Sequence, residues 1–303
     1  MPRGRSAWIL NLDAERELEK PDAHTPSAKT LQRRPELLRV LAPLLGPGDV
    51  VLGDHDDVLA EVAPDGGAAA SAPYLGRAWC PTPHALQRLV KAGATPVPAP
   101  NVAVLRRVNH RRFTAELGQM LPGARYVGSL DELTAVLATE SPTGQWLVKR
   151  PFGFAGRGRR RIAEGPVDRS ALAFVEASLR AGEGLQVEPW VDRIADYAWH
   201  GFLSPIGAVT LGEPTRQVCD DTGAWMQTNL ALDLDADLRA ALHASAQLVA
   251  DALIDAGYFG PFGIDAYQWR DGSKVRFNVR SEINARYSMG WAIGMQGRRV
   301  DLE

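Results

Sequence analysis

The sequence predicts an α/β protein of two or three lobes, and three observations support this. The chain has 303 residues, of which 45% are hydrophobic and 23% charged, as is typical of globular proteins with a substantial core. Its first third alternates apolar strand patterns with amphipathic helix patterns, which predicts a parallel sheet. Near its end, two alternating segments flank Asp271-Gly272, a dipeptide that favours the turn of an antiparallel hairpin.

The composition excludes several classes of protein. With 34 Lys+Arg against 36 Asp+Glu, the formal net charge is −2, so we expect neither nucleic acid nor a membrane as a partner. The two cysteines, Cys80 and Cys219, are too few for a disulfide framework or a cysteine zinc site, and they favour a reducing, cytoplasmic location. No apolar run approaches the ~20 residues that a bilayer span needs. Whether the chain forms a homodimer is left open.

The amino-terminal lobe is predicted over residues 1–108. Apolar runs at residues 8–10 and 49–52 predict two buried strands. Between them, leucines at helical spacing predict a helix over residues 28–45, which Gly46-Pro47-Gly48 would end.

A second helix of this lobe is predicted from Thr82 and Pro83 to Gly93, because threonine fits the N-cap and proline the first helical position. Three prolines within residues 94–100 remove backbone donors, so this stretch is predicted to be a connector. We therefore place the end of the lobe near residue 108.

The central lobe is predicted over residues 109–186. A first helix begins at Asn109, and Ser129 followed by Glu132 forms a capping box that predicts a second helix. A strand over residues 145–150, a glycine-rich turn, a further strand and a helix over residues 168–179 complete the lobe.

The carboxy-terminal lobe, residues 187–303, is again predicted to contain both helix and sheet. Its clearest element is a helix over residues 235–256, whose apolar residues share one face and which Gly257 ends. The hairpin around Asp271-Gly272 follows this helix.

In the central lobe, a lysine leads from a predicted strand into the glycine-rich loop. Lys149 follows the apolar run 146–148, and the glycines of residues 153–158 let backbone N–H groups approach an anion closely. This arrangement predicts phosphate binding, with an ordinary tight hairpin as an equally weighted alternative. A P-loop is excluded, because Arg159 and Arg160 stand where that motif needs a lysine and a hydroxyl.

The predicted hairpin carries a polar face. If Asp271-Gly272 forms the loop, residue 265 pairs with residue 278, and polar side chains of both strands point the same way. Carboxylate and amide oxygens are the ligands that Mg²⁺ prefers, so the face predicts a magnesium site, with a merely solvated face as the alternative. The polar residues are Asp265, Asn278, Arg280, Glu282, Asn284 and Arg286.

Taken in order, these motifs resemble the ATP-grasp superfamily, of the carboxylate–amine ligase type. The resemblance covers about residues 95–295 and rests on Lys149 with the loop 153–158, the segment 186–191, Asp265, and the run 282–286. It implies an ATP-grasp-like α/β fold with a small amino-terminal lobe, and a nucleotide held between a central lid lobe and a carboxy-terminal lobe with a metal site.

The resemblance also implies roles for individual residues. ATP and one or two Mg²⁺ ions, replaceable by Mn²⁺, are the expected cofactors. Asp265, Glu282 and Asn284 are expected to hold the metal. Lys149, Arg280 and Arg286 are the expected catalytic residues, with Arg286 steadying the carboxylate or its acyl-phosphate. The expected nucleotide contacts are Lys149, Gly153, Phe154, Ala155, Gly156, Gly158, Arg111, Glu188, Pro189, Trp190, Val191 and Asp196.

The sequence departs from the family in three places. Many members have a lysine where Arg111 or Arg112 stands here, which keeps the charge but changes the donor geometry. Asp265 and Glu282 are also a few residues further apart than expected. The amino-terminal lobe shows no match, so the acceptor is not identified.

The expected function is an ATP-dependent ligase that activates a small-molecule carboxylate as an acyl-phosphate and joins it to an amine, with amino acids or peptides as substrates. A small-molecule kinase on the same scaffold is one alternative. A non-catalytic module that binds nucleotide or RNA is another, and the predicted metal ligands speak against it, because adenine binding alone needs no metal.

Overall fold

The computed structural model describes residues 5–20, 42–53, 58–61, 74–118, 121–153, 158–165, 167–219 and 225–302, and every structural statement below refers to these residues. They form three sheets. The predicted helix over residues 28–45 lies outside the described residues, apart from a short 3-10 turn at Ala42–Leu44.

The amino-terminal sheet has five strands in the order β3-β2-β1-β4-β5. All neighbours in it are parallel except the β2–β3 pair. The predicted strands at residues 8–10 and 49–52 are confirmed with slightly shifted bounds. The strands are β1 (Ser6–Ile9), β2 (Val50–Leu52), β3 (Val58–Glu61), β4 (Leu75–Ala78) and β5 (Thr95–Pro96), and α1 (Ala14–Glu19) follows β1.

Helix α2 (Pro83–Lys91) begins where the sequence predicts, but a different side chain caps it. The Thr82 hydroxyl donates to Glu17 Oε2 at 2.6 Å, and Glu17 Oε1 accepts from the backbone N–H of His84 at 2.9 Å. A carboxylate distant in sequence therefore takes the place of a local cap. The predicted connector at 94–100 is partly wrong, because β5 pairs with β4 as an edge strand, a position that tolerates proline.

Two helices lead into the central lobe. Helix α3 (Val102–Asn109), capped by Asn101, was not predicted, and the helix predicted from Asn109 is α4 (Arg111–Glu116).

The central sheet is antiparallel, in the order β6-β9-β7-β8. Both predicted helices are confirmed, with Ser129 capping the first and Asp168 the second. One face of the sheet packs on these helices through Trp146, Val148 and Val187, so the alternate residues point away from them. The elements are β6 (Arg125–Val127), α5 (Leu130–Leu137), β7 (Gln145–Lys149), β8 (Arg159–Ala163), α6 (Arg169–Arg180) and β9 (Leu185–Pro189).

The carboxy-terminal sheet is also antiparallel, in the order β12-β11-β10-β13-β14. The predicted helix over 235–256 is confirmed as α7, which packs its apolar side into the main core. The elements are β10 (Asp192–Leu203), β11 (Val209–Cys219), β12 (Trp225–Leu230), α7 (Ala236–Asp255), β13 (Gly260–Asp271), β14 (Lys274–Asn284) and α8 (Trp291–Gly294).

The register predicted for the β13–β14 hairpin is wrong. Asp271 pairs with Lys274, so the two-residue loop is Gly272-Ser273. In addition, a bulge shifts the register between Asp265 and Tyr267. It places Asp265 opposite Glu282 rather than opposite Asn278. The extra residues of β14 at this bulge account for the larger number of residues between Asp265 and Glu282 in the sequence.

The carboxy-terminal tail closes against the amino-terminal lobe. The buried Asp301 carboxylate accepts from the Tyr287 hydroxyl at 2.7 Å and from Arg299 Nη2 at 2.8 Å. Arg77 donates to the Asp301 carbonyl at 2.9 Å. Within the described residues, none of the helices combines the length and the apolar character needed to cross a bilayer.

Candidate active site

A carboxylate pair lies on neighbouring strands of the carboxy-terminal sheet. Asp265 on β13 faces Glu282 on β14. Asp265 Oδ2 accepts from Asn284 Nδ2 at 3.1 Å, and Oδ1 accepts from Gln217 Nε2 at 3.0 Å. The structure thus brings together the three predicted metal residues and adds Gln217 from β11.

The two carboxylates have different electrostatic environments. Burial, and next the charge of Glu282, raise the pKa of Asp265 to about 6. Burial also acts to raise the pKa of Glu282, but Arg111 and Lys149 outweigh it and hold that pKa below its usual value. Among the described residues Asp265 forms no ion pair, and the charges of Arg193 and Arg286 lower its pKa by less than burial and Glu282 raise it. Glu282, in contrast, has Arg111 and Lys149 close by.

Both cations come from the central lobe. Arg111, the first residue of α4, places Nη2 3.0 Å from Glu282 Oε1, and its Nε donates to the Arg150 carbonyl at 3.0 Å. Its Nη1 is buried without a hydrogen-bond partner among the described residues. Arg112 instead stacks its guanidinium over the Tyr126 ring at 4.9 Å. Of the two arginines that could replace the family's lysine, Arg111 is the one at the site.

Lys149 lies at the end of β7, where it forms an ion pair with Glu188 at 2.5 Å. Burial lowers the pKa of Lys149, although Glu188 acts against this shift. Residues 190–191, which belong to the segment that carries the resemblance, lie between β9, which ends at Pro189, and β10, which begins at Asp192.

Of the expected nucleotide contacts at residues 188–191, two already have partners within the central lobe. The side chain of Glu188 points to Lys149. The Trp190 N–H donates to the Gln145 carbonyl at 2.8 Å, and the Trp190 carbonyl accepts from Thr143 Oγ1 at 2.7 Å. Both main-chain groups of Trp190 thus have partners within the central lobe. Pro189 and Val191 remain the candidates for contact with the base of a nucleotide.

The glycine-rich loop is only partly described. Arg150 N donates to the Gly158 carbonyl at 2.7 Å, and Gly158 has a φ of +69°, a conformation that favours glycine. Gly153 is described at the start of the loop. The remaining predicted contacts, Phe154, Ala155 and Gly156, lie outside the described residues.

The structure does not bring Arg280, an expected catalytic residue, to the carboxylate pair. Its guanidinium is buried, donates to the carbonyls of Leu117 and Gly118, and lies 3.3 Å from Ser245 Oγ. These contacts join the end of α4 to α7. The error has the same origin as the register error, because the bulge in β14 changes the alternation of side chains.

Arg286 and Asp196 also have partners. Arg286 Nε donates to Glu15 Oε1 at 2.6 Å and Nη1 to the Tyr287 carbonyl at 2.9 Å, so Arg286 ties the site to the amino-terminal lobe. Asp196 on β10 forms an ion pair with Arg193. The Arg193 guanidinium in turn lies over the Tyr267 ring, 4.0 Å from its centroid.

The donor set fits a magnesium ion. In the described part of the chain, no group of three or more His, Cys, Asp and Glu side chains could hold a metal. The candidate set is two carboxylates and one amide, hard oxygen donors that leave positions for water and phosphate oxygens, as Mg²⁺ requires.

Gln186, within the segment 186–191, reaches Glu188 along β9. No local pattern marks two further residues of the site. Gln217 reaches Asp265 from β11, and Glu15 reaches Arg286 from the other end of the chain. Only the pairing of strands and lobes brings them there.

No protein-family model matches the sequence, and no curated protein does. Solved structures do match. A biotin carboxylase from Campylobacter jejuni, in complex with β-γ-ATP, has a TM-score of 0.59 at 13% identity, over 98% of this chain and 69% of that one. D-alanyl-alanine synthetase A from Vibrio cholerae O1 biovar eltor has a TM-score of 0.54 at 12% identity, over 97% and 92%. The ADP complex of purK, an N5-carboxyaminoimidazole ribonucleotide synthetase, has a TM-score of 0.53 at 16% identity, over 95% and 73%.

These similarities extend over nearly the whole chain, through all three lobes. The chain therefore has the ATP-grasp fold, which confirms the fold that the motifs implied.

Proposed function

We propose that the protein is an ATP-dependent ligase that joins a small-molecule carboxylate to an amine. The γ-phosphoryl group of ATP passes to a carboxylate oxygen and ADP leaves. The amine then attacks the acyl carbon, phosphate leaves, and the amine loses a proton as the amide forms. Amino acids or peptides are the proposed substrates.

One observation carries the proposal. Arg111 from the central lobe contacts Glu282 of the carboxy-terminal lobe, and Lys149 lies close enough to lower the pKa of Glu282. Cations on one side of the lobe junction thus face the Asp265–Glu282 pair on the other side. The nucleotides named with two of the similar structures, ADP and β-γ-ATP, support a nucleotide at this junction.

The arrangement suits phosphoryl transfer, which depends on positioning and charge neutralisation rather than on a covalent nucleophile. Arg111 Nη1 is buried and has no hydrogen-bond partner in the part of the chain that the structure describes, which fits a phosphate oxygen as its acceptor. Lys149 supplies a second cation to the phosphates. Asp265, Glu282 and Asn284 would hold Mg²⁺, which when bound neutralises charge on the transferred phosphoryl group.

We place the carboxylate and amine next to Arg286. Strands β2 and β4 flank β1 in the amino-terminal sheet, so the strand order reverses between β1 and β4. Ligands of open α/β sheets bind beyond the carboxyl ends of strands at such a point. Glu15 follows β1 there, and its Oε1 holds Arg286. Arg286 also follows two residues after Asn284, which ends β14 and donates to Asp265, and this connects the position to the carboxylate pair.

Calorimetry with ATP, in the presence and absence of Mg²⁺, tests the proposal first. The wild-type protein should bind ATP in a Mg²⁺-dependent manner, and Lys149→Met should weaken binding at least ~10-fold, the loss of about 1.4 kcal/mol. Lys91→Met, a change at an exposed helical lysine, is the matched control and should bind as the wild type does.

The second stage measures ADP release with amino acids and short peptides, followed by analysis of the products. An amide product with stoichiometric ADP and phosphate supports the ligase. A phosphorylated hydroxyl would identify the kinase, and nucleotide binding with no turnover for any acceptor would favour the non-catalytic module. Failure to bind ATP at all would reject the proposal.

A further inference from the structure

Gln186 is a buried polar residue for which the proposed mechanism has no role. It lies in β9 and pairs with Lys149 of β7 on one side and with Tyr126 of β6 on the other. Its neighbours Leu185 and Val187 point into the core of the central lobe. Gln186 therefore lies on the opposite face of the sheet, with Lys149 and Glu188, and only 3% of it is exposed.

The orientation of the Gln186 amide follows from its neighbour. Nε2 donates to Glu188 Oε2 at 3.0 Å, while Glu188 Oε1 forms the ion pair with Lys149. An ionised carboxylate can only accept hydrogen bonds, so the amide nitrogen must be the atom that faces Glu188. The carbonyl oxygen, Oε1, is thereby turned away, and it is buried with no hydrogen-bond partner among the described residues.

A buried carbonyl oxygen without a donor is unfavourable, so a bound group that supplies an N–H or O–H would be favoured there. Phosphate oxygens are acceptors at neutral pH and cannot supply it. On a nucleoside triphosphate, the donors that remain are the exocyclic amine of the base and the ribose hydroxyls. If a bound nucleotide supplies the donor, that donor therefore belongs to the nucleoside and not to the phosphates.

We propose that Gln186 selects the nucleobase, its side-chain carbonyl accepting a hydrogen bond from the exocyclic amine of adenine. This inference rests on the proposed function, since it assumes that a nucleotide binds between the lobes. A base with an oxygen at that position, as in inosine, presents a second acceptor to Gln186 and is disfavoured. Glu188 contributes indirectly, because its Oε2 holds the amide in the selective orientation.

Three nucleotides test the inference by calorimetry: ATP, ITP, in which the amine is replaced by oxygen, and 2′-deoxyATP. The wild-type protein should bind ATP about 10-fold more tightly than ITP. In Gln186→Met, which has similar volume but no carbonyl, ATP affinity should fall about 10-fold and the preference for ATP over ITP should disappear. The ratio of ATP to 2′-deoxyATP affinity should not change.

Two further variants complete the test. Gln247→Met makes the same change on helix α7 of the carboxy-terminal lobe, where Gln247 donates to the exposed Asp251, and should retain the wild-type preference. Gln186→Asn keeps the amide but shortens the side chain by one methylene, so its carbonyl no longer reaches the base. It should reduce the preference for ATP over ITP, and it tests the inference if Gln186→Met does not fold.

The outcomes distinguish this inference from the proposed function. If the wild-type protein binds ATP but both Gln186 variants keep its preference over ITP, Gln186 does not select the base. A change only in the ratio of ATP to 2′-deoxyATP affinity would assign the contact to the ribose and overturn the inference. If the wild-type protein binds neither ATP nor ITP, the proposed function itself fails and the inference with it.

Discussion

Arg111 Nη2 lies 3.0 Å from Glu282 Oε1, and this ion pair joins the first turn of a helix in the central lobe to the edge strand of the carboxy-terminal sheet. The pair is mostly buried, with 10% of the Arg111 side chain and 32% of the Glu282 side chain exposed. A nucleotide bound between the lobes would share Arg111 with Glu282. The contact therefore links nucleotide binding to the proposed metal site.

Replacement of Glu282 by glutamine should reduce turnover about 100-fold or more, because the variant lacks the negative charge proposed to hold Mg²⁺ against the phosphates. ADP release in the presence of the identified acceptor pair is the measurement. Glu176→Gln, a change of an exposed carboxylate on α6, is the control and should be fully active. Turnover at the wild-type rate in Glu282→Gln would reject the metal assignment.

Removal of the Arg111 side chain should weaken ATP binding about 10-fold, whereas removal of the neighbouring Arg112 side chain should have little effect. The reason is their placement, since Arg111 holds an unpartnered N–H at the site and Arg112 stacks on Tyr126. Calorimetric titration of Arg111→Ala and Arg112→Ala compares them directly. Equal losses in the two variants would contradict the placement of Arg111.

The structure also predicts a pH dependence of stability. His200 is fully enclosed, and burial lowers its pKa from 6.5 to about 3. Below pH 6.5 the imidazole takes up a proton in the unfolded chain but not in the folded protein, and this favours unfolding. The loss of stability is therefore absent above pH 6.5 and grows as the pH falls towards 3. At pH 5 the loss from this residue amounts to about 2 kcal/mol in the free energy of unfolding.

Urea unfolding at pH 7.5 and pH 5.0 measures this effect. The wild-type protein should lose about 2 kcal/mol more between the two pH values than His200→Asn, which has no titrating ring. Three glycines, Gly263, Gly290 and Gly294, approach the imidazole so closely that a Cβ on any of them would lie within 2.8 Å of a ring atom. An identical pH dependence in both proteins would show that the ring is protonated in the folded state.

Replacement of Asp301 by asparagine should lower the free energy of unfolding by about 3 kcal/mol, because it leaves Arg299 buried without its anion. Asp233→Asn is the matched control, since that carboxylate is 78% exposed and lies 3.9 Å from Arg216. Its loss should change stability by less than about 0.5 kcal/mol. Chemical unfolding at pH 7.5 measures the free energy of unfolding of both variants. Similar values would contradict a stabilising role for the contact between the carboxy-terminal tail and the amino-terminal lobe.

Acid should weaken the same contact. Burial would raise the pKa of Asp301, but Arg299 and Tyr287 outweigh it and hold that pKa below its usual value. The stabilisation is therefore complete above the ordinary aspartate pKa and is lost as the pH falls through the lowered value.

Local signals predicted most of the fold correctly. The capping box at Ser129, the N-cap at Asp168 and the long helix ended by Gly257 need only neighbouring residues, and the structure has each of them. The proximity of Glu282 to Asp265 and to Lys149 was also predictable, because each of the three belongs to a motif of the family that the sequence resembles.

Features that depend on distant residues were not predictable. The bulge between Asp265 and Tyr267 shifts the register of the hairpin, and the sequence pattern of alternation contains no sign of it. Arg280 was misplaced for this reason. The cap that Glu17 provides to α2, like the contact of Gln217 with Asp265, joins segments that come together only in the folded chain.

The bulge also divides the hairpin into two parts with different strand registers. Between it and the tip, the strands pair in one register, and beyond it Asp265 and Glu282 pair in another. A peptide tag or a reporter domain inserted at Gly272-Ser273 would lengthen the tip without changing the alignment of the two carboxylates. The tip is thus a suitable attachment point for a probe that leaves the two carboxylates aligned.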